Sequence, residues 1–367
     1  MPHFADRLLA AVKAKGNPIC VGLDPRFEQL PLKLREKALR DNMSTSKAIA
    51  EAYLTFNKAI LDALADLVPV CKPQSAFYEE LGEHGTRVLA ETINYAKKKG
   101  YLVIADAKRG DIGATAIAYA RAFLGGKGIP TPYGETELGF KADSVTVNPY
   151  MGHDTLLPYL DVGTSAGQSI FALVKTSNPG SGDLQDLDVQ GRPLYEHVAE
   201  MLNKLGAERK GKCGFHNVGA VVGATYPDQM RKLRALMPDA IFLIPGYGAQ
   251  GGTAEDAALG FVDGQNGGRG AIVNNSRGII FAYLQEPYAS KFGPDKYAEA
   301  ARASAEKMAA ELKAALSGKI KQRTMIVPKP VAPPLEAPPV DSGFQQTSIF
   351  IKPKRNTSRT SRRTKDE

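Results

Sequence analysis

Ile104-Ala-Asp-Ala-Lys-Arg-Gly-Asp-Ile-Gly113 is the stretch on which the reading of this chain turns. It completes an apolar run, Tyr101 to Ala105, that predicts a buried strand taking on three charges at its far end. Side chains alternate faces along a strand. Asp106 and Lys108 therefore point one way, and Ala105 and Ala107 the other, as residues under a covering helix would. Gly110 ends the strand and leaves Asp111 in the loop that follows. Two acids and a lysine thus converge where a parallel α/β sheet keeps its active site. A structural ion pair is the plainer alternative, but charges are costly to bury and such pairs add little net stability. Clustered titratable groups at such a place point to chemistry.

Outward from this strand, short apolar, β-branched runs recur at Ile19–Asp24, Pro69–Gln74, Tyr101–Lys108, Ser144–Tyr150, Ile170–Ser177, Val218–Thr225, Ala240–Gly248 and Ala271–Gly278. Segments such as Ala48–Leu67 and Gly85–Lys99 lie between them, with apolar residues returning at helical spacing. Strand–helix alternation implies parallel pairing, and eight units favour an α/β fold of the (β/α)8 TIM-barrel type over an open doubly wound sheet. Nearly every run ends in polar or flexible residues: Asp24, Lys72, Asp106 with Lys108, Asn148, Ser177, Thr225, Gly246 to Gly248, and Asn274 to Arg277. In a barrel such tips ring one mouth, the catalytic face. Two connections are long, from Pro25 to about Ser46 and from Gly125 to Lys141, and pattern alone assigns the second no role.

Composition bounds the rest. The hydrophobic fraction of 43% suffices for a sizeable core, and no apolar run approaches the roughly 20 residues of a membrane span. The start, Met1 to Val12, is amphipathic (Phe4, Leu8, Leu9, Val12) and lacks the apolar core of a signal peptide. Cys20, Cys71 and Cys213 are far apart and odd in number, which favours a reducing, cytoplasmic setting. Five scattered histidines offer no HxxxH or HExxH pair, so no protein-bound metal is expected. The net charge of +8 is carried almost wholly by the residues from Lys319 onward, which hold +7. A barrel domain over 1–318 is therefore expected, with an alanine-rich last helix capped by Asp295 and ended by Gly318. A Pro-rich, then polybasic, disordered tail over 319–367 should follow. That tail could make weak contact with nucleic acid or another polyanion, though no aromatic residue interleaves its cations for base stacking.

Two further constellations bear on chemistry. Ile244-Pro-Gly-Tyr-Gly-Ala-Gln-Gly-Gly252 contains a GxGxxG (Gly246, Gly248, Gly251) after the seventh strand. A dinucleotide fingerprint would need an acid at the end of the next strand, and that strand ends in Asn-Asn-Ser-Arg. Barrel enzymes commonly hold phosphate with the loops after strands seven and eight. Backbone N–H groups of such a loop can approach phosphate oxygens, and Arg277 can clamp them. Lys72, on the strand beside Asp106, extends a row of alternating charge through Lys108 to Asp111. Each acid in such a row keeps its lysine protonated, and each lysine keeps its acid ionised. The array suits a reaction that makes and then protonates a carbanion.

Asp24 in Val-Gly-Leu-Asp, Lys72, Asp106-x-Lys108-x-x-Asp111, Ser177-Asn-Pro-Gly180, Pro245 to Gly252 and Arg277 fall in one order. In that order the chain resembles the orotidine 5′-phosphate decarboxylase family, and most closely its longer bacterial subgroup, over residues 4–316. The resemblance implies metal- and cofactor-free conversion of orotidine 5′-monophosphate to UMP and CO2 in de novo pyrimidine synthesis. It implies that Lys108 protonates C6, that Asp106 lies against the departing carboxylate, and that Lys72 holds Asp106 and the ribose. Asp24 would bind ribose, Ser177 the pyrimidine edge, Gln250 both base and phosphate, and Arg277, with the loop around Gly248, the phosphate. Asp111 and Thr115 match residues that serve the neighbouring subunit's site, which implies a homodimer. The competing readings are a Mg²⁺-dependent decarboxylase of a phosphorylated keto-acid sugar on the same barrel, or a polyanion-binding role of the tail.

Overall fold

The computed structural model describes residues 1–41, 45–248, 250–262 and 269–324. Eight strands form its centre: β1 (Ile19–Leu23), β2 (Val70–Pro73), β3 (Leu102–Arg109), β4 (Ser144–Val147), β5 (Ser169–Lys175), β6 (Val218–Val222), β7 (Phe242–Ile244) and β8 (Ala271–Asn275). Each pairs in parallel with its sequence neighbours, and β8 returns to β1, closing the barrel. The runs anticipated from sequence are all present; seven end one to four residues early at their polar ends, and the third runs one residue further, to Arg109. Those ends bend away from the ladder to build the mouth.

Alternation along the strands divides the core in two. The barrel interior holds Cys20, Val70, Ile104, Phe171, Leu243 and Ile272. The layer between strands and helices holds Ala105 and Ala107, as their position opposite Asp106 required. The far end of the interior is plugged by the helix Phe4–Lys15. His3 caps its start by accepting from Ala5 N at 3.2 Å, and Gly16 ends it at φ 71°, a left-handed turn that glycine adopts without a Cβ penalty. Phe4 and Leu8 are buried, and the Phe4 ring meets Phe171 edge to face at 6.0 Å. Gly219 on β6 makes room for that ring, since a Cβ there would fall 2.4 Å from Phe171 Cδ1.

Several local expectations are corrected. The 125–141 connection carries an exposed antiparallel ribbon, Pro130–Thr131 with Gly134–Glu135, and a second pairs Asp188–Val189 with Arg192–Pro193. Two-residue strands leave no periodic signal to read. Asp295 lies in a 3-10 turn, where it accepts from Lys33 at 2.5 Å. The last helix runs from Tyr297 to Thr324, through Gly318, because one glycine in a long alanine-rich helix costs only about 1 kcal/mol. The remainder of the basic tail, with its expected disorder and polyanion contact, lies outside the described residues. Among those described, no helix is long and apolar enough to cross a membrane. Phe171→Ala should lower stability by about 3–5 kcal/mol, because it hollows the plugged end of the barrel. A urea titration followed by circular dichroism checks this, and a loss below about 1 kcal/mol would contradict it.

Candidate active site

Asp106 is the centre of the mouth. It is 5% exposed, and Lys72 beside it is 4% exposed. Lys72 Nζ donates to Asp106 Oδ2 at 2.6 Å, and Lys108 Nζ donates to Oδ1 at 2.6 Å. Gln74 Nε2 donates to Oδ2 at 3.0 Å and the Thr146 hydroxyl to Oδ1 at 2.9 Å. Four donors from three adjacent strands and their ends thus surround one carboxylate. Burial would raise the carboxyl pKa, but Lys72 and then Lys108 outweigh it and hold Asp106 well below the usual carboxylate range. Burial likewise works to lower Lys72, while Asp106 and then Asp24 hold it above the usual lysine value.

Lys108 reaches Asp106 by a route that alternation alone does not describe. Its backbone has φ 49°, uncommon for a residue with a Cβ. The register between β3 and β4 shifts there, between Ala105 and Arg109. The Lys108 N–H leaves the ladder and donates to Thr146 Oγ1 at 2.9 Å. Thr146 therefore holds both the bent backbone and the carboxylate. The Lys108 side chain stays 44% exposed, open to a ligand while still paired.

A cavity of about 620 Å³ opens above this array. Asp24, Lys72, Asp106, Lys108, Ser177, Gln250 and Arg277 all line it, so seven of the sites singled out from sequence meet in one place. Asp24 Oδ1 and Asn274 Oδ1 are buried there without a hydrogen-bond partner among the described residues, which suits a ligand rich in hydroxyls. Arg277, at the start of a short helix after β8, is exposed and makes no ion pair among the described residues. Ser177 packs against Gly223 and Gly246, where added Cβ atoms would lie 2.9 and 3.5 Å from its own Cβ.

Three expected residues stand elsewhere. Gly248 is not in the lining, and its N–H donates to Gly252 O at 2.9 Å, so this amide serves the loop itself. Asp111 and Thr115 are outside the cavity too. Asp111 Oδ1 accepts from Ile112 N at 2.8 Å, and Thr115 is exposed on the helix Gly113–Leu124. Asn148, named as the tip of β4, is spent on a turn, accepting from Tyr150 N at 3.0 Å. Thr146 takes its place at the site. Gln74 and Thr146 went unnoticed because neutral polar residues are common at strand ends. Strand alternation from Lys72 and from Asn148 would have found both. Among the described residues no group of three or more His, Cys, Asp or Glu side chains is placed to hold a metal ion.

Comparison with known proteins agrees with this geometry. Residues 17–292 match the model of the orotidine 5′-phosphate decarboxylase / HUMPS family. An orotidine 5′-phosphate decarboxylase of Rhodopirellula baltica is 45% identical over 316 residues, spanning 85% of this chain and all of the relative. One from Petrotoga mobilis is 40% identical over 81% of this chain and 93% of its own. Among solved structures, OMP decarboxylase of Leishmania donovani superposes with a TM-score of 0.60 at 31% identity, over 86% of this chain and 99% of that one. With its closed barrel, its matched segment of more than half the chain and these full-length relatives, this chain belongs to the orotidine 5′-phosphate decarboxylase family.

Proposed function

We propose that the protein decarboxylates orotidine 5′-monophosphate to UMP and CO2, with Lys108 as the proton donor. The observation that carries this reading is the pairing of one buried carboxylate, Asp106, with two ammonium groups, one buried and one open to the cavity. The names of the relatives support the substrate.

Orotidine 5′-monophosphate carries a carboxylate on C6 of its base, a ribose and a 5′-phosphate. Arg277, in the cavity lining after β8, suits the phosphate, and Gln250, in the lining after β7, suits phosphate and base. Asp24 and Lys72 suit the ribose hydroxyls, the first as acceptor and the second as donor. Ser177 suits the polar edge of the base. The C6 carboxylate then meets Asp106, an acid held ionised that does not neutralise itself to accommodate a second anion. The C6–carboxylate bond breaks, its electron pair stays on C6, and CO2 leaves. Lys108 Nζ, donating to Asp106 in the free protein, hands a proton to C6 and completes UMP. The charged array favours the separated, carbanionic state over the bound ground state, which is the condition for faster chemistry.

Asp111 and Thr115 find a role in a homodimer. They lie outside this chain's own cavity, beside the exposed Ile112 and Ile117, at 62% and 38% exposure. A second copy docked on this apolar strip would receive them at its own site.

The protonation states set a pH window. Asp106 has a lowered folded-state pKa, so its contribution to stability is complete above the unfolded value near 3.9 and is lost as pH falls toward the folded one. Lys72 has a raised pKa, so its contribution is complete below the unfolded value near 10.4 and is lost as pH climbs beyond it. Asp106→Asn, which leaves Lys72 buried without its acid, should therefore cost about 3–5 kcal/mol at pH 7. Urea titrations should find that cost nearly constant from about pH 5 to 7 and shrinking below about pH 4. A cost that vanished already at pH 6 would contradict the assignment. For the activity, the purified protein should turn orotidine 5′-monophosphate into UMP at a rate indifferent to EDTA, and Lys108→Ala should lower kcat by about 100-fold or more. Inhibition by EDTA that Mg²⁺ reverses would favour the metal-dependent sugar decarboxylase, and unimpaired turnover by Lys108→Ala would remove Lys108 as donor.

A further inference from the structure

Lys175 closes β5 yet takes no part in the charge array around Asp106. Its side chain is completely buried. Strict alternation from Leu173, which lines the cavity, would aim Lys175 into the barrel as well. The pairing of β5 with β6 slips just there: Val221 stands opposite Leu173, but Val222 stands opposite Lys175. An extra residue of this kind re-aims a side chain, and Lys175 turns away from the cavity and under the loop that follows. Its ammonium donates to both carboxylate oxygens of Asp186, at 2.7 and 2.8 Å, and to Ser181 Oγ at 3.2 Å. It also lies 4.5 Å from the centre of the Tyr226 ring.

Lys175 and Asp186 bracket the loop that carries Ser177 over the cavity. One ion pair therefore joins the end of that loop to its beginning. Inside the same bracket, Thr176 N donates to Gln185 Oε1 at 2.9 Å and Gln185 Nε2 donates to Thr176 Oγ1 at 2.8 Å. The loop buries little of itself: Pro179, Gly180 and Leu184 are exposed. Apolar packing thus supplies few of its restraints, and polar ties at its base do most of the holding. A buried ammonium is costly unless paired, so Lys175 keeps Asp186 in place as firmly as Asp186 keeps Lys175.

We propose that Lys175 and Asp186 are positioning residues for the nucleotide: their ion pair anchors loop 176–186 so that Ser177 meets the base. The inference rests on the nucleotide reading of the cavity. It assigns the pair to the base half of the ligand only, because Arg277, at the phosphate end, is held by β8 and the helix after it.

The test uses Lys175→Met, which removes the buried charge together with the pair, and Asp186→Asn, which keeps the shape and one acceptor oxygen. Without ligand, hydrogen exchange of amides 176–186 should quicken by about tenfold or more in either folded variant, while β1 to β8 stay protected. By calorimetry, UMP should bind about tenfold or more weakly, whereas ribose 5-phosphate, which lacks the base, should bind within about twofold of the unaltered protein. Unchanged exchange in the loop would overturn the anchor. So would equal losses for UMP and ribose 5-phosphate, or undiminished UMP affinity. An unaltered protein that bound no UMP would instead overturn the nucleotide reading, and the exchange measurement would still decide the anchor.

Discussion

A carboxylate with 5% of its surface exposed remains ionised because two ammonium groups and two neutral donors converge on it. The rest of the structure answers to that constraint. Burying an ion is expensive unless its partners have good geometry, and good geometry here needs β2, β3 and β4 in fixed register. Lys72 comes from β2, Lys108 from β3 itself, and Thr146 from β4. A closed barrel supplies this arrangement because each strand is held on both sides. The register slip in β3 and the left-handed backbone of Lys108 then bring the second ammonium to the same carboxylate.

The mouth divides its work by position. Charge is concentrated on the β2 to β4 side, where bonds to carbon break and form in the proposed reaction. The opposite side, from β7 to β8, offers a glycine-rich turn and an arginine without a partner among the described residues, which suits the binding of phosphate. Between them the loop after β5 carries Ser177 toward the space where a base would lie. A ligand that spans all three regions must be long, polar and anionic at both ends. Orotidine 5′-monophosphate has that form, and in the proposed reaction the binding energy gathered at the phosphate end presses its carboxylate toward Asp106.

Much of this was legible in the chain itself. The strands could be read because a barrel strand is buried on both faces and appears as an apolar run, and Asp106, Lys108 and Lys72 stood out as charges at the ends of such runs. Asp24, Ser177, Gln250 and Arg277 followed from the order of motifs and meet at the cavity. The local departures from regularity could not be read. Lys175 looks from alternation like a pocket lysine, and only the slip against β6 shows that it lies beneath a loop. Gly248 looked like a phosphate-facing glycine, yet its amide closes its own turn. Thr146 and Gln74 carry no charge to betray them, and the two-residue ribbons have no period at all. Asp111 and Thr115, for which the resemblance implied a place in a neighbouring subunit's site, lie outside the cavity of this chain.

The central claim is that an ammonium at position 108, held against Asp106, supplies the proton to the substrate. Alkylating a Lys108→Cys variant with 2-bromoethylamine tests it most directly, since this rebuilds a lysine-like ammonium at that one place. Cys20 and Cys71 are buried and only Cys213 is partly open, so the unaltered protein treated in the same way is a sufficient control. The expected result is a cysteine variant with little turnover of orotidine 5′-monophosphate that regains about tenfold or more on alkylation. A cysteine variant that turned over at the unaltered rate before alkylation would contradict the account.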